Sequence, residues 1–178
     1  MIEKPRRDIP SGHPIRFLFQ QLTERGMGQS NLHDRDTIQY ITNLLTDFVH
    51  VENMYRIKDE SGRRLEYLFE ILSRAGAEMS PTVRRDYYKY LGDLTLFNLG
   101  LFPESLIYGH RTVSPDYYAK TGRRSYTIVA EMDSSARATL VYRKLSDQFE
   151  RCVVGLNWVK HYINDPFYQY MFREFDIT

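Results

Sequence analysis

The chain contains almost no cysteine: Cys152 is the only one among 178 residues. A single cysteine excludes an internal disulfide and is typical of proteins kept in a reducing compartment. Long apolar runs are missing too, because no stretch approaches the roughly 18 apolar residues that a membrane-spanning helix needs. The N-terminal sequence also lacks the apolar segment of a signal peptide. These absences predict a cytoplasmic protein that has no membrane partner.

An excess of charge of one sign is also absent. Twenty-four Lys and Arg side chains face 23 Asp and Glu side chains, which gives a formal net charge of +1. Without a basic surplus or a compact basic recognition helix, we expect no nucleic-acid partner.

Motifs that carry chemistry are equally scarce. The sequence has no Gly-x-Ser-x-Gly nucleophile motif, no glycine loop for phosphate and no Glu-x-x-His pair. The nearest metal-like spacing is Asp47 with His50, which we interpret as an ordinary pair of neighbouring side chains. Cys152 lies on an apolar helical stripe and is expected to be a small buried hydrophobic residue. We therefore predict no metal and no cofactor, and the sequence leaves open whether the protein is an enzyme.

Helical spacing of apolar residues is present almost throughout. It predicts one all-α domain over 15–178, a single-domain bundle of about seven helices without a sheet, preceded by an irregular leader over 1–14. Ser80-Pro81 and Ser114-Pro115 are strong helix starts, and Gly26 with Gly28 are expected to end the first helix. The predicted helices cover 15–25, 36–55, 65–76, 81–100, 115–132, a long sixth helix over 135–163, and a short aromatic segment over 167–175.

The segment from Tyr90 to Leu106 contains one carboxylate, Asp93, among leucines and phenylalanines that cover every side of a helix. Such a helix is buried all round, and a carboxylate in that position is costly unless it is paired or hydrogen-bonded. Asp93 should therefore have a partner at a buried polar or ligand site. The candidates are Arg123 and Arg124, or the hydroxyl groups of Tyr88, Tyr118 and Tyr126.

Glycines inside two of the predicted helices indicate close approach. Gly92 and Gly100 share a face with Leu96, and Gly122 lies between two tyrosines at four-residue spacing. Because a mid-helix glycine costs about 1 kcal/mol relative to alanine, each should permit a close contact. We expect the fourth and fifth helices to pack at these glycines. The alternative is a flat ligand that lies against the exposed backbone.

Several ordered motifs resemble one family. These are Leu91-Gly92-Asp93, the run from Leu96 to Leu106, and Asp116-Tyr117-Tyr118 followed by Gly122-Arg123-x-Ser125-Tyr126. Together they cover about a third of the chain and resemble an uncharacterised family of bacterial all-helical proteins. The resemblance implies a soluble bacterial protein, and it implies no particular reaction.

A shorter stretch, Tyr90 to Thr95, resembles the distal-helix motif of haem oxygenase, which is also an all-α fold. In that family two glycines follow and let the helix kink over the haem, while the aspartate orders a distal water. Leu96 and Phe97 occupy those two positions here. The family's proximal histidine has one early candidate in this chain, His13, which lies in the predicted leader.

These observations predict a soluble helical interaction or small-ligand-binding protein with a polar core around Asp93. Its 14 tyrosines and its arginines are residue types that are common in interfaces and pockets, so a homo-oligomer and a small-molecule ligand are the expected partners. The alternative is an enzyme of haem-oxygenase-like architecture in which Asp93 acts as a base or orients water.

Overall fold

The computed structural model describes residues 9–54, 56–58, 61–62, 67–108 and 114–174. The helices in this part of the chain are α1 (Pro14–Gln29), α2 (Arg35–Phe48), α3 (Val51–Met54), α4 (Leu68–Ala77), α5 (Pro81–Leu101), α6 (Pro103–Tyr108), α7 (Pro115–Met132), α8 (Ala136–Asp147), α9 (Phe149–Ile163) and α10 (Pro166–Glu174). Extended pairing within these ranges is limited to isolated bridge residues, Ile57 and Lys58. The all-α fold without a sheet is thus confirmed for the described residues.

The predicted helix starts at serine are confirmed. Ser80, Ser114 and Ser135 are the N-caps of α5, α7 and α8, and the side chain of each accepts a hydrogen bond from the N–H three residues later. Proline follows at the first position of α5 and α7, where its missing N–H costs nothing. Asp34 caps α2 in the same way, with its Oδ2 accepting from Thr37 N at 2.9 Å. Local capping chemistry therefore determines where these four helices begin.

The predicted end of the first helix at Gly26 is wrong, because α1 continues through Gly26 and Gly28 to Gln29. A methyl group on Gly26 would stand 2.6 Å from the backbone oxygen of Gly155 in α9. Gly26 therefore serves helix packing and does not terminate α1. The helix also begins one residue earlier than expected, at Pro14 with His13 as its N-cap, and residues 1–8 of the predicted leader lie outside the described part.

The predicted long sixth helix is interrupted. Gln148 leaves the helical region (φ −113°, ψ 23°) and separates α8 from α9. Gln148 still takes part in the helical hydrogen bonds of both neighbours: its N–H donates to Lys144 O in α8, and its carbonyl accepts from Cys152 N in α9. The apolar stripe runs through this break, so the sequence pattern does not reveal it.

Two other boundaries also differ from the prediction. The helix expected over 36–55 ends at Phe48 and is followed by the short α3, and α6 adds another short helix that begins at Pro103. With the split at Gln148, the described residues form ten helices where about seven were expected. The expected start of the third helix at Leu65 and the end of the last at Phe175 lie outside the described residues.

Helix α5 occupies the centre of the molecule and packs against α4, α7 and α9, while α1 packs against α2 and α9. All residues from Tyr90 to Leu101 are buried except Asn98, which is half-buried. The expected all-round burial of this helix is therefore confirmed. Asp93 lies in the middle of that buried run, so the core is built around a carboxylate.

Candidate functional site

Asp93 is 2% exposed and accepts hydrogen bonds from three side chains. Tyr40 Oη donates to Oδ1 at 2.6 Å, and Tyr126 Oη donates to the same oxygen at 2.9 Å. Lys89 Nζ donates to Oδ2 at 2.6 Å. Both carboxylate oxygens are therefore engaged, and the negative charge has a direct ammonium partner. This arrangement meets the requirement for burying a charge.

Three different helices supply these donors. Lys89 lies on α5 itself, one turn before Asp93, where side chains four residues apart lie side by side. Tyr40 comes from α2 and Tyr126 from α7. The carboxylate therefore joins α2 and α7 to the central helix through directional hydrogen bonds.

Gly92 makes the contact with Tyr126 possible. A methyl group on Gly92 would stand 2.7–2.9 Å from three atoms of the Tyr126 ring. Across the same interface, a methyl group on Gly122 would collide with Thr95 of α5. The predicted packing of these two helices at Gly92 and Gly122 is confirmed. Gly100 instead packs against Leu156 of α9, with which a methyl group on Gly100 would collide.

A third phenol completes what we call the tyrosine cluster, which consists of Tyr40, Tyr126 and Tyr142. The Tyr142 ring meets Tyr40 edge-on at 5.5 Å and stacks on Tyr126 at 6.1 Å. Cations of α5 flank two of the rings: Lys89 Nζ lies 5.3 Å from the centre of Tyr40, and Arg85 lies 5.7 Å from that of Tyr142. The cluster thus connects α2, α7 and α8 next to the Asp93 carboxylate.

Burial and the Asp93 carboxylate raise the pKa values of Tyr40 and Tyr126 well above the usual 10.0. Both phenols are therefore protonated at neutral pH and act as donors. Burial opposes the charge on Lys89, but the attraction of Asp93 outweighs it and leaves the pKa of Lys89 raised. Lys89 is therefore an ammonium ion at neutral pH, and its side chain is 34% exposed.

Among the predicted partners of Asp93, Tyr126 is confirmed and both arginines are wrong. Arg123 pairs with Glu150 at 3.3 Å on the surface, and Arg124 is exposed on α7. Each is one or two residues away from Gly122, so it faces away from α5 on a helix that turns about 100° per residue. Tyr126 lies four residues after Gly122 and shares its face.

The other two predicted tyrosines are placed differently. Tyr118 is 3% exposed in α7 and Tyr88 is half-buried in α5. Neither makes a hydrogen bond to the Asp93 carboxylate.

Sequence reasoning missed Lys89 and Tyr40. The four-residue spacing of Lys89 and Asp93 was a visible signal, because opposite charges at this spacing on a helix attract. Tyr40 is 53 residues from Asp93, and no local pattern connects positions so far apart.

A groove with a volume of about 290 Å³ opens beside the tyrosine cluster, between α2 and α8. We call it the α2/α8 groove. It is lined by Asp36, Gln39, Tyr40 and Asn43 on one side and by Ser135, Arg137, Ala138, Val141 and Tyr142 on the other. Tyr40 and Tyr142 thus belong both to the cluster and to the groove.

Ion pairs join the two helices that form the groove. Arg137 Nη2 lies 2.6 Å from Asp36 Oδ1, and Lys144 pairs with Asp34. Behind the groove, Arg85 pairs with Asp133, the C-cap residue of α7. The described charged residues that line the groove, Asp36 and Arg137, are therefore paired with each other.

The described residues contain no cluster of three His, Cys, Asp or Glu side chains that is suited to a metal ion. Asp47 and His50 are both half-buried, and burial raises the pKa of the Asp47 carboxyl. Cys152 is buried in α9, and this burial raises the pKa of its thiol to about 12. A thiol with that pKa is a poor nucleophile at neutral pH.

No protein-family model, no curated protein and no solved structure matches this chain. None of the helices in the described ranges has the length and the apolar character required to cross a bilayer. The two resemblances noted in the sequence therefore stay predictions, and the function is argued from the site alone.

Proposed function

We propose that this protein binds a small molecule in the α2/α8 groove, and that the polar core around Asp93 holds the floor of that groove in place. The observation that carries the proposal is the double role of Tyr40. Its ring lines the groove, while its hydroxyl donates to the buried Asp93 at 2.6 Å. A binding surface fixed from behind in this way loses little conformational freedom when a ligand binds.

The composition of the groove supports a ligand site. Small-molecule sites combine apolar and aromatic walls with a few polar groups that orient the ligand. Val141, Ala138 and the two tyrosines supply the apolar part, while Gln39, Asn43 and Ser135 supply the polar part. The volume of about 290 Å³ is just below the range of about 300–1,000 Å³ for small-molecule pockets, which favours a compact ligand.

The state of Asp93 favours binding over the alternative, in which this residue is a catalytic base. A base must present a free lone pair to the proton that it removes. The oxygens of Asp93 instead accept from two phenols and one ammonium, and the residue is 2% exposed. We therefore assign Asp93 a positioning role.

The proposal includes a cytoplasmic location in a bacterium and a homo-oligomeric state. Cys152 is buried as a thiol, which suits a reducing compartment. Val154 and Trp158 lie one turn apart on α9 and are 47% and 40% exposed, which is unusual for neighbouring large apolar residues. Light scattering after gel filtration tests the oligomeric state, and a mass near 21.2 kDa would contradict it.

The groove proposal is tested by screening a library of small polar fragments by NMR against the ¹⁵N-labelled protein. Hits should shift the amide signals of α2 and α8, and Ala138→Trp should abolish the shifts because the new ring fills the groove. Ala77→Trp is the matched control, since it places the same ring at an exposed position in α4. Hits that survive Ala138→Trp, or a library without hits, would overturn the proposal.

A further inference from the structure

The charged residues that line the α2/α8 groove neutralise each other. Among the described residues that line it, Asp36 and Arg137 are the charged ones, and they form an ion pair at 2.6 Å. A ligand with a net charge would have to break this pair or remain without a counter-ion. The side chains of Arg137 and Asp36 are 80% and 41% exposed, so the pair is weak, but a neutral ligand leaves it intact and a phosphate or carboxylate competes with Asp36 for Arg137.

Two side-chain amides lie one turn apart on the α2 side of the groove. Gln39 Nε2 donates to Asn43 Oδ1 at 3.2 Å, and Arg16 Nη1 donates to the same oxygen at 3.3 Å. Because a guanidinium can only donate, Arg16 fixes which end of the Asn43 amide is the oxygen. Both hydrogen bonds lie at the exposed surface, where they favour this orientation of the pair.

This orientation leaves one donor and one acceptor, on two neighbouring exposed amides, open to a ligand. Within the described part of the chain, neither the Asn43 Nδ2 group nor the Gln39 Oε1 atom makes a hydrogen bond to protein. A ligand edge with an adjacent C=O and N–H, as in a cyclic amide, matches this pattern: its carbonyl accepts from Asn43 and its N–H donates to Gln39.

The floor of the groove favours a flat ligand. Tyr40 and Tyr142 meet at an interplanar angle of 80° with 5.5 Å between ring centres. Half-buried Tyr40 offers more aromatic surface to the groove than Tyr142, which is 5% exposed. Planar rings pack on such surfaces by stacking or by edge-to-face contact. Both tyrosines are held from behind, Tyr40 by Asp93 and Tyr142 by its contact with Tyr126.

We propose that the α2/α8 groove binds a neutral planar lactam, such as a free nucleobase, with Gln39 and Asn43 reading its amide edge and with Tyr40 and Tyr142 packing on its ring. This inference rests on the proposed function and adds the ligand class. The free base is favoured over the nucleotide because Arg137, the cation among the described residues that line the groove, is already paired with Asp36.

The test compares uracil with 1,3-dimethyluracil in NMR titrations of the full chain. The two probes share one ring, but methylation removes both N–H donors. Uracil should shift the amides of α2 and α8 saturably, and dimethyluracil should bind at least about tenfold more weakly, because a site that hydrogen-bonds a substrate N–H rejects the analogue that lacks it.

Variants identify the groups that read the edge. Gln39→Leu and Asn43→Leu should each weaken uracil binding about tenfold, with a smaller effect on dimethyluracil. Gln29→Leu, at an exposed glutamine of α1 outside the groove, should leave uracil binding unchanged. Circular dichroism at the titration temperature confirms that each variant is folded.

The outcomes separate this inference from the proposed function. Equal binding of the two probes, or uracil binding that Gln39→Leu and Asn43→Leu leave unchanged, overturns the lactam assignment. If neither probe binds but other fragments occupy the groove, the ligand class is wrong and the proposed function stands. If no fragment binds at all, both are wrong.

Discussion

At the scale of single residues, the molecule is organised around one carboxylate. Asp93 satisfies both oxygens with donors from three helices, so its burial stabilises a particular arrangement of α2, α5 and α7. Part of this was predictable. A carboxylate among leucines requires a partner wherever the fold places it, and Tyr126 shares a face with Gly122. The contribution of Tyr40 depends on how α2 docks, which no pattern near residue 40 encodes.

Asp93→Asn is the residue-scale prediction. The asparagine amide has nearly the same shape as the carboxylate, but its NH₂ group cannot accept a hydrogen bond, so at least one of the three donors to Asp93 loses its acceptor. The substitution also removes the negative charge that faces Lys89. We expect the free energy of unfolding to fall by about 2–3 kcal/mol, near the cost of losing hydrogen bonds to a charged group, because the partial exposure of Lys89 reduces the electrostatic share. Urea unfolding followed by circular dichroism measures this change.

Asp116→Asn is the matched control for that substitution. Asp116 also pairs with a lysine four residues away on a helix, Lys120, at 2.8 Å, but their side chains are 72% and 67% exposed. The exposed pair should contribute no more than about 1 kcal/mol. If the two variants lost the same small amount of stability, Asp93 would have no structural role.

At the scale of helices, starts were more predictable than ends. Ser80 and Ser114 mark starts because a capping hydroxyl followed by proline acts within one turn, and the chain there needs no tertiary partner. Gly26 was misread as an end because a glycine that stops a helix and a glycine that lets another backbone approach look the same in sequence. The contact of Gly26 with Gly155 of α9 shows that Gly26 has the second role. This contact exists only in the folded tertiary structure, so the local sequence does not reveal it.

Gly92→Ala tests the packing of α5 on α7. Alanine has the better helix propensity, by about 1 kcal/mol, but its methyl group would stand 2.7 Å from the Tyr126 ring. Tyr126 cannot retreat without lengthening its hydrogen bond to Asp93, so we expect a net loss of about 1–3 kcal/mol. Thermal unfolding monitored by circular dichroism measures the change.

The matched control is Gly76→Ala in α4, where a methyl group would have no neighbour within 4 Å. That variant should gain up to about 1 kcal/mol from propensity alone. The two glycine substitutions therefore have opposite expected signs. A stabilised Gly92→Ala variant would mean that the α5–α7 interface is looser than the contact with Tyr126 implies.

At the scale of the whole molecule, the hydrogen bonds of the Asp93 site should link global stability to alkaline pH. In the unfolded chain, a tyrosine ionises near its usual pKa of 10.0, whereas Tyr40 and Tyr126 have pKa values well above this in the folded protein. Above pH 10, the unfolded state therefore holds fewer protons than the folded state, and stability falls as the pH rises. Below pH 10 this contribution is fully present. The raised pKa of Lys89 acts in the same direction above its usual 10.5.

We expect the free energy of unfolding to be steady near pH 8 and to fall steeply between pH 10 and 11, by up to about 1.4 kcal/mol per pH unit for each such group. Urea unfolding at pH 8, 10 and 11 measures this slope.

Tyr126→Phe should be less stable at pH 8, because a hydrogen bond to Asp93 is lost, and its slope should be shallower since one titrating group is gone. Tyr117→Phe, at an exposed phenol of the same helix, should keep the wild-type slope. Parallel curves for the wild type and Tyr126→Phe would show that the Asp93 site does not govern alkaline unfolding, and that other groups of the chain do.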